Sequence, residues 1–262
     1  MNTVILGFGT MGKWLAKQCA SQGHRVFIYD PYITAWPRSF AYRIIPDLQA
    51  LTHSAPDLII NAGPLHRTID IFTSCEPYIA PSVMLCDTAS VKTGLQEFYA
   101  ASGHPFVSVH THFNPESAQR TVQECAIISE STPDAYAVMK ELLEKSGCTV
   151  RDFTFQAHDE AMVSMLIVPY LLTYAFSSVG APPPAHGTTY THYYETARHL
   201  LGTAPELFAD VLLQHESLTM IPHICSRLQY LAHIVRHNDR DEMEKTVAQC
   251  TKNLLSRDEV TV

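Results

Sequence analysis

The sequence predicts an α/β fold in which an amino-terminal doubly wound, mostly parallel sheet is followed by an all-helical carboxyl-terminal domain. Three observations predict it. A glycine-rich turn at residues 7–12 separates a short apolar run from a helix-like segment. Short apolar runs then alternate with helix-like segments as far as residue 155, which is typical of parallel strands joined by crossover helices. From residue 156 the pattern is helical throughout, so we expect two domains, 1–155 and 156–262.

The first strand, turn and helix have the pattern of a nucleotide-binding site. Gly7 permits a tight turn, Gly9 lets a pyrophosphate approach the backbone, and Gly12 lets the helix lie close to the strand. The second apolar strand ends at Asp30, at the spacing of about 20 residues where a carboxylate accepts hydrogen bonds from a ribose. This order predicts a Rossmann-type site for NAD. NADP is disfavoured because Asp30 would repel its 2′-phosphate, and the two residues that follow include no arginine.

The later strands of the sheet are predicted at 57–61, 83–87, 106–110, 125–129 and 149–155, and the helices at 13–21, 67–75, 92–101 and 133–145. Carboxyl ends of parallel strands meet at one edge of a sheet, and ligands bind at that edge. The turn at residues 62–64 follows one of these strands, and an acid ends the next. The predicted cofactor contacts are Gly7, Phe8, Gly9, Thr10, Met11, Gly12, Asp30, Ala62, Gly63, Pro64 and Asp87.

The helical domain opens with an uncharged stretch, residues 161–179, that is close to the length needed to cross a bilayer. Pro169 interrupts it, and the acids Asp159 and Glu160 rather than lysines precede it, so we expect a helix buried by protein and no membrane span. Further helices are predicted at 189–201, from the start Thr203-Ala204-Pro205-Glu206, at 220–237 and at 241–256. One small domain cannot cover so apolar a helix, which predicts a homodimer built through this domain.

The composition excludes several classes of protein. With 18 lysines and arginines against 26 acids the net charge is −8, and no arginine-rich stripe interrupts it, which disfavours nucleic-acid binding. The 7 cysteines are scattered and never paired as C-x-x-C, so we expect reduced thiols in the cytoplasm and neither a disulfide nor a zinc framework. No signal segment is apparent at the amino terminus.

Four polar groups follow the glycine turn and are candidates for chemistry. Ser90 follows the strand that ends at residue 87, although a serine there is more typical of a helix cap. His110 and His112 would share one face at a period of two, but the sequence shows no matching third and fourth ligand, so no metal is expected. His158-Asp159 could form a helix cap or a hinge contact. Arg198 lies in an aromatic and apolar helix, so it needs a carboxylate partner or an anionic ligand.

Taken in chain order, these residues resemble the prephenate and arogenate dehydrogenase family of tyrosine biosynthesis. The resemblance covers nearly the whole chain, and the shared order of its parts makes it specific. Those parts are residues 7–12, Asp87-x-x-Ser90-Val91-Lys92, His110 with Phe113 and Pro115, His158-Asp159 with Pro169, and Thr196-Ala197-Arg198 ahead of residues 206–210. The resemblance implies that His110 is the catalytic histidine, that Ser90 supports it, and that Arg198 binds a carboxylate of the substrate.

The chain departs from this family in two places that we expect to line the substrate pocket. Members usually continue the catalytic histidine as His-Pro-Met-Phe-Gly-Pro, whereas this chain has Thr111, His112 and Asn114. Many members carry histidines around the proline of the long helix, where this chain has Ile167 and Tyr170. His112 and Tyr170 are therefore predicted to contact the substrate.

The resemblance implies NAD-dependent oxidative decarboxylation of prephenate to 4-hydroxyphenylpyruvate, or of arogenate to tyrosine. Histidine titrates in the right range for the base, and Ser90 could share or orient the hydroxyl proton. Three alternatives stay open: action on a prephenate analogue with a ring amine, an NAD-binding regulator without catalysis, and a β-hydroxyacid dehydrogenase. The last class needs a lysine base, which residues 158–179 lack.

Overall fold

A computed structural model describes residues 1–34, 36, 41–115, 123–180, 185, 187–202 and 205–258 of the chain. The chain divides into two compact units, Met1–Leu212 and Leu213–Val262. The change from alternating strands and helices to helices alone comes within the first unit, after residue 153. The boundary predicted at residue 155 marks this change, and as a boundary between functional domains it stays a prediction.

Eight strands form one sheet within the described residues. They are β1 (Asn2–Leu6), β2 (Arg25–Tyr29), β3 (Arg43–Ile44), β4 (Leu58–Asn61), β5 (Met84–Asp87), β6 (Phe106–Thr111), β7 (Glu124–Ile128) and β8 (Thr149–Phe153). Their order is β3-β2-β1-β4-β5-β6-β7-β8, and every neighbouring pair is parallel except β6 and β7. The strand order reverses between β1 and β4, which opens a crevice at the carboxyl ends of these strands. The predicted α/β fold with a mostly parallel sheet is confirmed.

The helices of the described residues are α1 (Thr10–Ser21), α2 (Leu51–Ser54), α3 (Thr68–Cys75), α4 (Leu95–Ser102), α5 (Pro133–Lys145), α6 (Phe155–Met162), α7 (Val168–Ser178), α8 (Thr188–Leu201), α9 (Pro205–Leu212), α10 (His215–His237) and α11 (Arg240–Asp258). Helices α10 and α11 form the second unit. Helix α4 begins later than predicted because Gly94, just before it, adopts a left-handed conformation with φ +75°. The helix start predicted at Thr203 lies outside the described residues.

The central strands of the sheet are buried on both faces, and the alternation of side chains along β1 shows how. Ile5 packs into a cluster formed with α1 and α5, whereas Val4 and Leu6 pack into a cluster formed with α3 and α4. Central members are Leu15 and Met139 in the first cluster and Phe72 and Tyr99 in the second. This cover on both sides fixes the carboxyl ends of β1, β4, β5 and β6 next to one another.

The long apolar helix runs without a break from Phe155 to Ser178, through α6, a π-helical turn at Val163–Ile167 and α7. The π turn comes just before Pro169, which cannot donate the backbone hydrogen bond that a regular helix needs there. By length and composition the helix could cross a membrane, yet it packs against α8 and α9 and is partly buried. Only 22% of its most apolar window is buried, so the described residues of one chain do not bury the helix on all sides.

Candidate active site

The glycine turn between β1 and α1 is tightly packed on one side and open on the other. Gly7 has φ +90°, and its N–H donates to the Tyr29 carbonyl over 2.8 Å. A Cβ on Gly12 would lie 2.0 Å from the Gly7 carbonyl oxygen, so only glycine lets α1 pack this closely on β1. A Cβ on Gly9 would meet nothing within 4 Å in the described structure. Open space therefore lies before the first turn of α1, whose N–H groups have no side-chain cap.

Asp30 and the turn after β4 flank this open space. The Asp30 carboxylate accepts a hydrogen bond from the Phe8 N–H over 2.8 Å, which holds the acid against the glycine turn. The Ala62 carbonyl oxygen lies 2.8 Å from the position that a Cβ on Gly7 would take. The turn at residues 62–64 and the glycine turn are thus direct neighbours at the switch point of the sheet. Both are positioned to line a dinucleotide site.

The Asp87 side chain is held by contacts within the protein, and its predicted contact with the cofactor stays a prediction. Its side chain is fully buried and forms an ion pair with the Lys92 ammonium over 2.6 Å. Its carboxylate also accepts hydrogen bonds from the Ala89 N–H over 3.0 Å and from the Tyr99 hydroxyl over 2.8 Å. Because it is fully buried, the Asp87 carboxylate has no exposed surface for a cofactor to contact. It instead fixes the loop that follows β5.

A relay of two imidazoles and a carboxylate lies at the end of β6. Nδ1 of His110 is 3.1 Å from Nε2 of His158, and Nδ1 of His158 is 3.0 Å from Oδ1 of Asp159. An ionised carboxylate only accepts hydrogen bonds, so His158 donates from Nδ1 and accepts at Nε2. His110 must then donate from Nδ1. In its neutral form His110 therefore presents an unprotonated Nε2.

Burial keeps the two histidines of this strand end neutral. The pKa of His110 is lowered well below its ordinary value by burial, and the charges of His112, Lys92 and His158 lower it further. Burial, with the charges of His158 and Lys92, also lowers the pKa of His112 to about 4, against an opposing contribution from Glu124. The Nε2 atom of His112 is buried and has no hydrogen-bond partner among the described residues.

Three contacts tie this relay to the rest of the site. The Lys92 N–H donates to Asp159 over 3.2 Å, and the Lys92 ammonium donates to the Val109 carbonyl over 2.7 Å. The loop after β5 is thereby attached to both α6 and β6. The Thr111 hydroxyl donates to the Met11 sulfur over 3.5 Å. Since Met11 belongs to the first turn of α1, the end of β6 lies beside the glycine turn.

Two roles considered from the sequence are wrong. His158 does not cap a helix, because α6 is capped by the Thr154 hydroxyl, which accepts from the Ala157 N–H over 3.0 Å. Ser90 does not cap α4, because Gly94 precedes that helix. Ser90 is half-buried in the loop between β5 and α4. The histidine followed by an acid was a visible signal, but nothing in the sequence showed that His158 faces His110.

The predicted substrate residues of the helical part are not joined to this relay. Arg198 is exposed on α8, and its guanidinium has no hydrogen-bond or ion-pair partner within the described residues. Water can therefore solvate it, and the compensation that we inferred from its apolar helix is not required. Arg198 lines a cavity of about 600 Å³ with Tyr190 and Tyr194, and no histidine of the relay lines it. Tyr170 is buried, with its ring 4.9 Å from that of Phe208.

One residue pair that the sequence did not indicate connects the cofactor side of the site to the helices. His66 follows the turn at residues 62–64, and its Nδ1 lies 3.0 Å from Oδ2 of Asp210 in α9. The His66 N–H also donates to this oxygen over 3.3 Å. The pair fixes α9 against the edge of the sheet where the glycine turn lies.

Comparison with known proteins identifies the fold. No protein-family model and no curated protein sequence matches the chain. Prephenate dehydrogenase from Aquifex aeolicus, solved in complex with hydroxyphenyl propionate and NAD+, matches with a TM-score of 0.79 and 16% identity over 99% of this chain and 98% of that chain. Synechocystis arogenate dehydrogenase matches with a TM-score of 0.73 and 17% identity over 100% of both chains. A 3-hydroxyisobutyrate dehydrogenase from Mycobacterium tuberculosis matches with a TM-score of 0.55 and 16% identity over 82% of this chain and 95% of that chain.

These matches confirm the predicted resemblance at the level of the fold. The likeness to the prephenate and arogenate dehydrogenases extends over nearly the full length of both chains, so it includes the helices after β8 as well as the sheet. At identities of 16% and 17% the fold is what the likeness establishes.

Proposed function

We propose that the protein is an NAD-dependent dehydrogenase that decarboxylates prephenate or arogenate oxidatively. One observation carries the proposal. The relay from His110 through His158 to Asp159 leaves the lone pair on Nε2 of His110 free to accept a proton. His110 lies on the strand whose end contacts the first turn of α1, beside the glycine turn. A base next to a hydride-accepting cofactor is what the oxidation of an alcohol requires.

The residues around the glycine turn fit NAD. The space at Gly9 admits a pyrophosphate, and the open N–H groups of α1 can bind its oxygens. Asp30 is the acid that would accept hydrogen bonds from the ribose hydroxyls, and it would repel the extra phosphate of NADP. NAD would supply the nicotinamide carbon that accepts a hydride.

In this mechanism His110 first acts as a base. Its Nε2 takes the proton of the ring hydroxyl while the carbon that bears the hydroxyl loses a hydride, so that carbon becomes a ketone. Asp159, acting through His158, stabilises the positive charge that His110 gains. The bond to the ring carboxylate then breaks, its electron pair enters the dienone, and carbon dioxide leaves. The ring becomes aromatic, and its phenolate oxygen takes the proton back from His110.

Four other residues have proposed roles in binding the substrate. Ser90 would orient the ring hydroxyl towards His110, and Arg198 would bind a carboxylate in a charge-assisted contact. His112 and Tyr170 would contact the substrate where this chain departs from the family pattern. We also propose that the protein is a cytoplasmic homodimer. It would bind a small anionic substrate and neither nucleic acid nor a membrane.

The test is the reduction of NAD and NADP, each with prephenate and with arogenate. We expect NADH to form with at least one of the two substrates, and kcat/KM to be higher with NAD than with NADP because of Asp30. Higher kcat/KM with NADP would contradict the role of Asp30. A ring-amine analogue of prephenate, run in parallel, tests the third substrate class.

The second candidate is an NAD-binding regulator without catalysis. The observation that favours it is His112, which replaces the usual residue of the family pattern and has a buried, unpartnered nitrogen among the described residues. Titration with NAD separates the two functions. NAD binding without turnover of any of the three substrates would support the regulator, and absence of NAD binding would contradict both.

A further inference from the structure

Three imidazoles converge beside the glycine turn. His110 and His112 lie at the end of β6, His158 lies in α6, and one nitrogen from each ring falls within 4.8 Å of the other two. The sequence offered the first two histidines without a third ligand. The fold supplies it, because α6 packs against the end of the sheet next to β6. Three histidine nitrogens with a fourth position open are the ligand set of many zinc sites.

The spacing of these nitrogens is close to what such an ion needs. Zinc binds histidine nitrogen at about 2.0–2.1 Å in tetrahedral geometry, which sets two ligand nitrogens roughly 3.3 Å apart. Nδ1 of His110 and Nε2 of His158 are already 3.1 Å apart. One nitrogen from each of the three rings lies within 4.8 Å of the other two, so the rings must approach one another by at most about 1.5 Å to bind one ion.

His112 gives an independent indication of a ligand site. Its Nε2 atom is buried and has no hydrogen-bond partner within the described ranges. Native structures rarely leave a buried polar atom unpaired, because such an atom loses its contact with water and gains nothing in return. Coordination to a metal ion would satisfy this nitrogen.

The charges around the cluster favour a cation. Asp159 accepts from Nδ1 of His158 over 3.0 Å, and a carboxylate in this position orients a metal-binding histidine. The charge of Lys92, the nearby cation, acts on His110 and His112. Its buried ion pair with Asp87 offsets part of that charge. Asp159 has no lysine or arginine side chain as a partner in the part of the chain that the structure describes. One negative charge is thus left to balance the ion.

We propose that His110, His112 and His158 bind one zinc-class divalent ion, through Nδ1 of His110 and Nε2 of the other two. The ion takes the place of the proton that His110 donates to His158, and that proton moves to Nε2 of His110. The outward nitrogen of His110 then cannot accept a proton. The bound ion therefore inhibits the dehydrogenase, a consequence that rests on the proposed function.

Binding is tested with Co²⁺ on the full chain after removal of metals by a chelator. Tetrahedral Co²⁺ bound by nitrogen gives visible absorption bands, and we expect these to saturate at one ion per chain and to disappear when Zn²⁺ is added. Cys225 and Cys250 are exposed, and a cobalt–thiolate band in the near ultraviolet would reveal binding there instead. Saturation accompanied by that band would overturn the proposal.

Two variants locate the ion. His112→Phe keeps an aromatic ring but removes the ligand nitrogen, and we expect at least a tenfold loss of Co²⁺ affinity. The control is His237→Gln, which breaks an exposed pair with His233 whose rings are 4.2 Å apart one helical turn away. Its affinity should equal that of the wild type. Unchanged binding in His112→Phe, or loss of binding in His237→Gln, would overturn the proposal.

X-ray absorption of the zinc-loaded wild type counts the ligands without any variant, so the test does not depend on the folding of His112→Phe. Three imidazole nitrogens around zinc are expected, and fewer than three would overturn the site.

Inhibition is measured separately as loss of NADH formation on adding Zn²⁺, with recovery after EDTA. Spectra that show the site in a chain without dehydrogenase activity would refute the proposed function alone. Activity that persists at saturating Zn²⁺ would refute the inhibition.

Discussion

At the scale of single residues, the site distinguishes two histidines that the sequence presented side by side. Of these two histidines, His110 is the one that donates to His158 in the described structure, and this bond connects it to the Asp159 carboxylate. A base that gains a proton in the transition state is stabilised by a negative group beyond it. His112 has no such connection through Nε2 in the described structure, so His110 is the expected base.

Substitution of the two histidines tests this assignment. We expect His110→Asn to lower kcat by about 10² to 10⁴, because proton transfer contributes that much to such reactions. NAD affinity should be nearly unchanged, since the loss falls on the transition state. His112→Asn is the matched control and should be much milder. A large fall in kcat for His112→Asn, together with an active His110→Asn, would show that His110 is not the base.

The buried ion pair beneath the site predicts a large effect on stability. Lys92→Met removes the ammonium and leaves the Asp87 carboxylate buried without its counter-ion, which should lower the free energy of unfolding by about 3–5 kcal/mol. The double variant Lys92→Met, Asp87→Asn removes both charges and should recover part of that loss. Urea denaturation measures all three proteins. A double variant less stable than Lys92→Met would contradict the unpaired charge as the cause.

Sequence patterns identified some of these residues and not others for a physical reason. His110 and Asp30 were predictable because each ends an apolar strand, and strand ends of a parallel sheet share one edge. The contact of His110 with His158 joins residues 48 positions apart, and local patterns do not encode such a contact. Lys92 was expected at the start of a helix, whereas its side chain is fully buried between Asp87 and the Val109 carbonyl. Nothing local to a lysine indicates that burial.

At the scale of elements, two glycines of the glycine turn have different expected roles: Gly9 leaves space for the cofactor, and Gly12 lets α1 pack on β1. Gly9→Ala places its Cβ in open space at φ −69°, so we expect unchanged thermal stability. NAD affinity should fall at least tenfold, because the methyl group occupies the space for the pyrophosphate. Gly12→Ala places its Cβ 2.0 Å from the Gly7 carbonyl, so α1 must shift and the midpoint of unfolding must fall. Calorimetric titration with NAD and thermal denaturation measure the two effects. Equal loss of stability in both variants would contradict this division.

The positions of strands and turns could be predicted where the local sequence determines them. They could not be predicted where they depend on which strands pair in space. Alternation of apolar runs and glycines indicated the strands and the turn, because burial and backbone freedom act locally. The antiparallel pairing of β6 with β7 depends on which edges meet in space, and the apolar runs are the same in either direction. The π turn at Val163–Ile167 was also not predicted, although Pro169 gave its cause.

At the scale of the whole molecule, the helix Phe155–Ser178 has apolar surface that the described residues of a single chain leave exposed. Met165 and Leu172 within this helix are 45% and 43% exposed, and Val179, the residue just after its end, is 83% exposed. Met165 and Leu172 are seven residues apart, about two helical turns, so they form an apolar stripe on the helix. Apolar stripes of this kind in proteins mark surfaces that contact another molecule. A second copy of the chain is the proposed cover.

The proposed homodimer predicts the mass of the protein in solution and a double variant that should halve this mass. Light scattering at micromolar concentration should give twice the chain mass of 29.3 kDa. The double variant Met165→Lys, Leu172→Lys places two charges on the stripe and should give a monomer, because buried unpaired charges are costly at an interface. Tyr32→Lys is the control, since Tyr32 is 76% exposed on the α/β part and lies outside the stripe. A monomeric wild type, or a double variant that stays dimeric, would contradict the proposed interface. A wild type that is recovered only in detergent would instead indicate that the helix crosses a membrane.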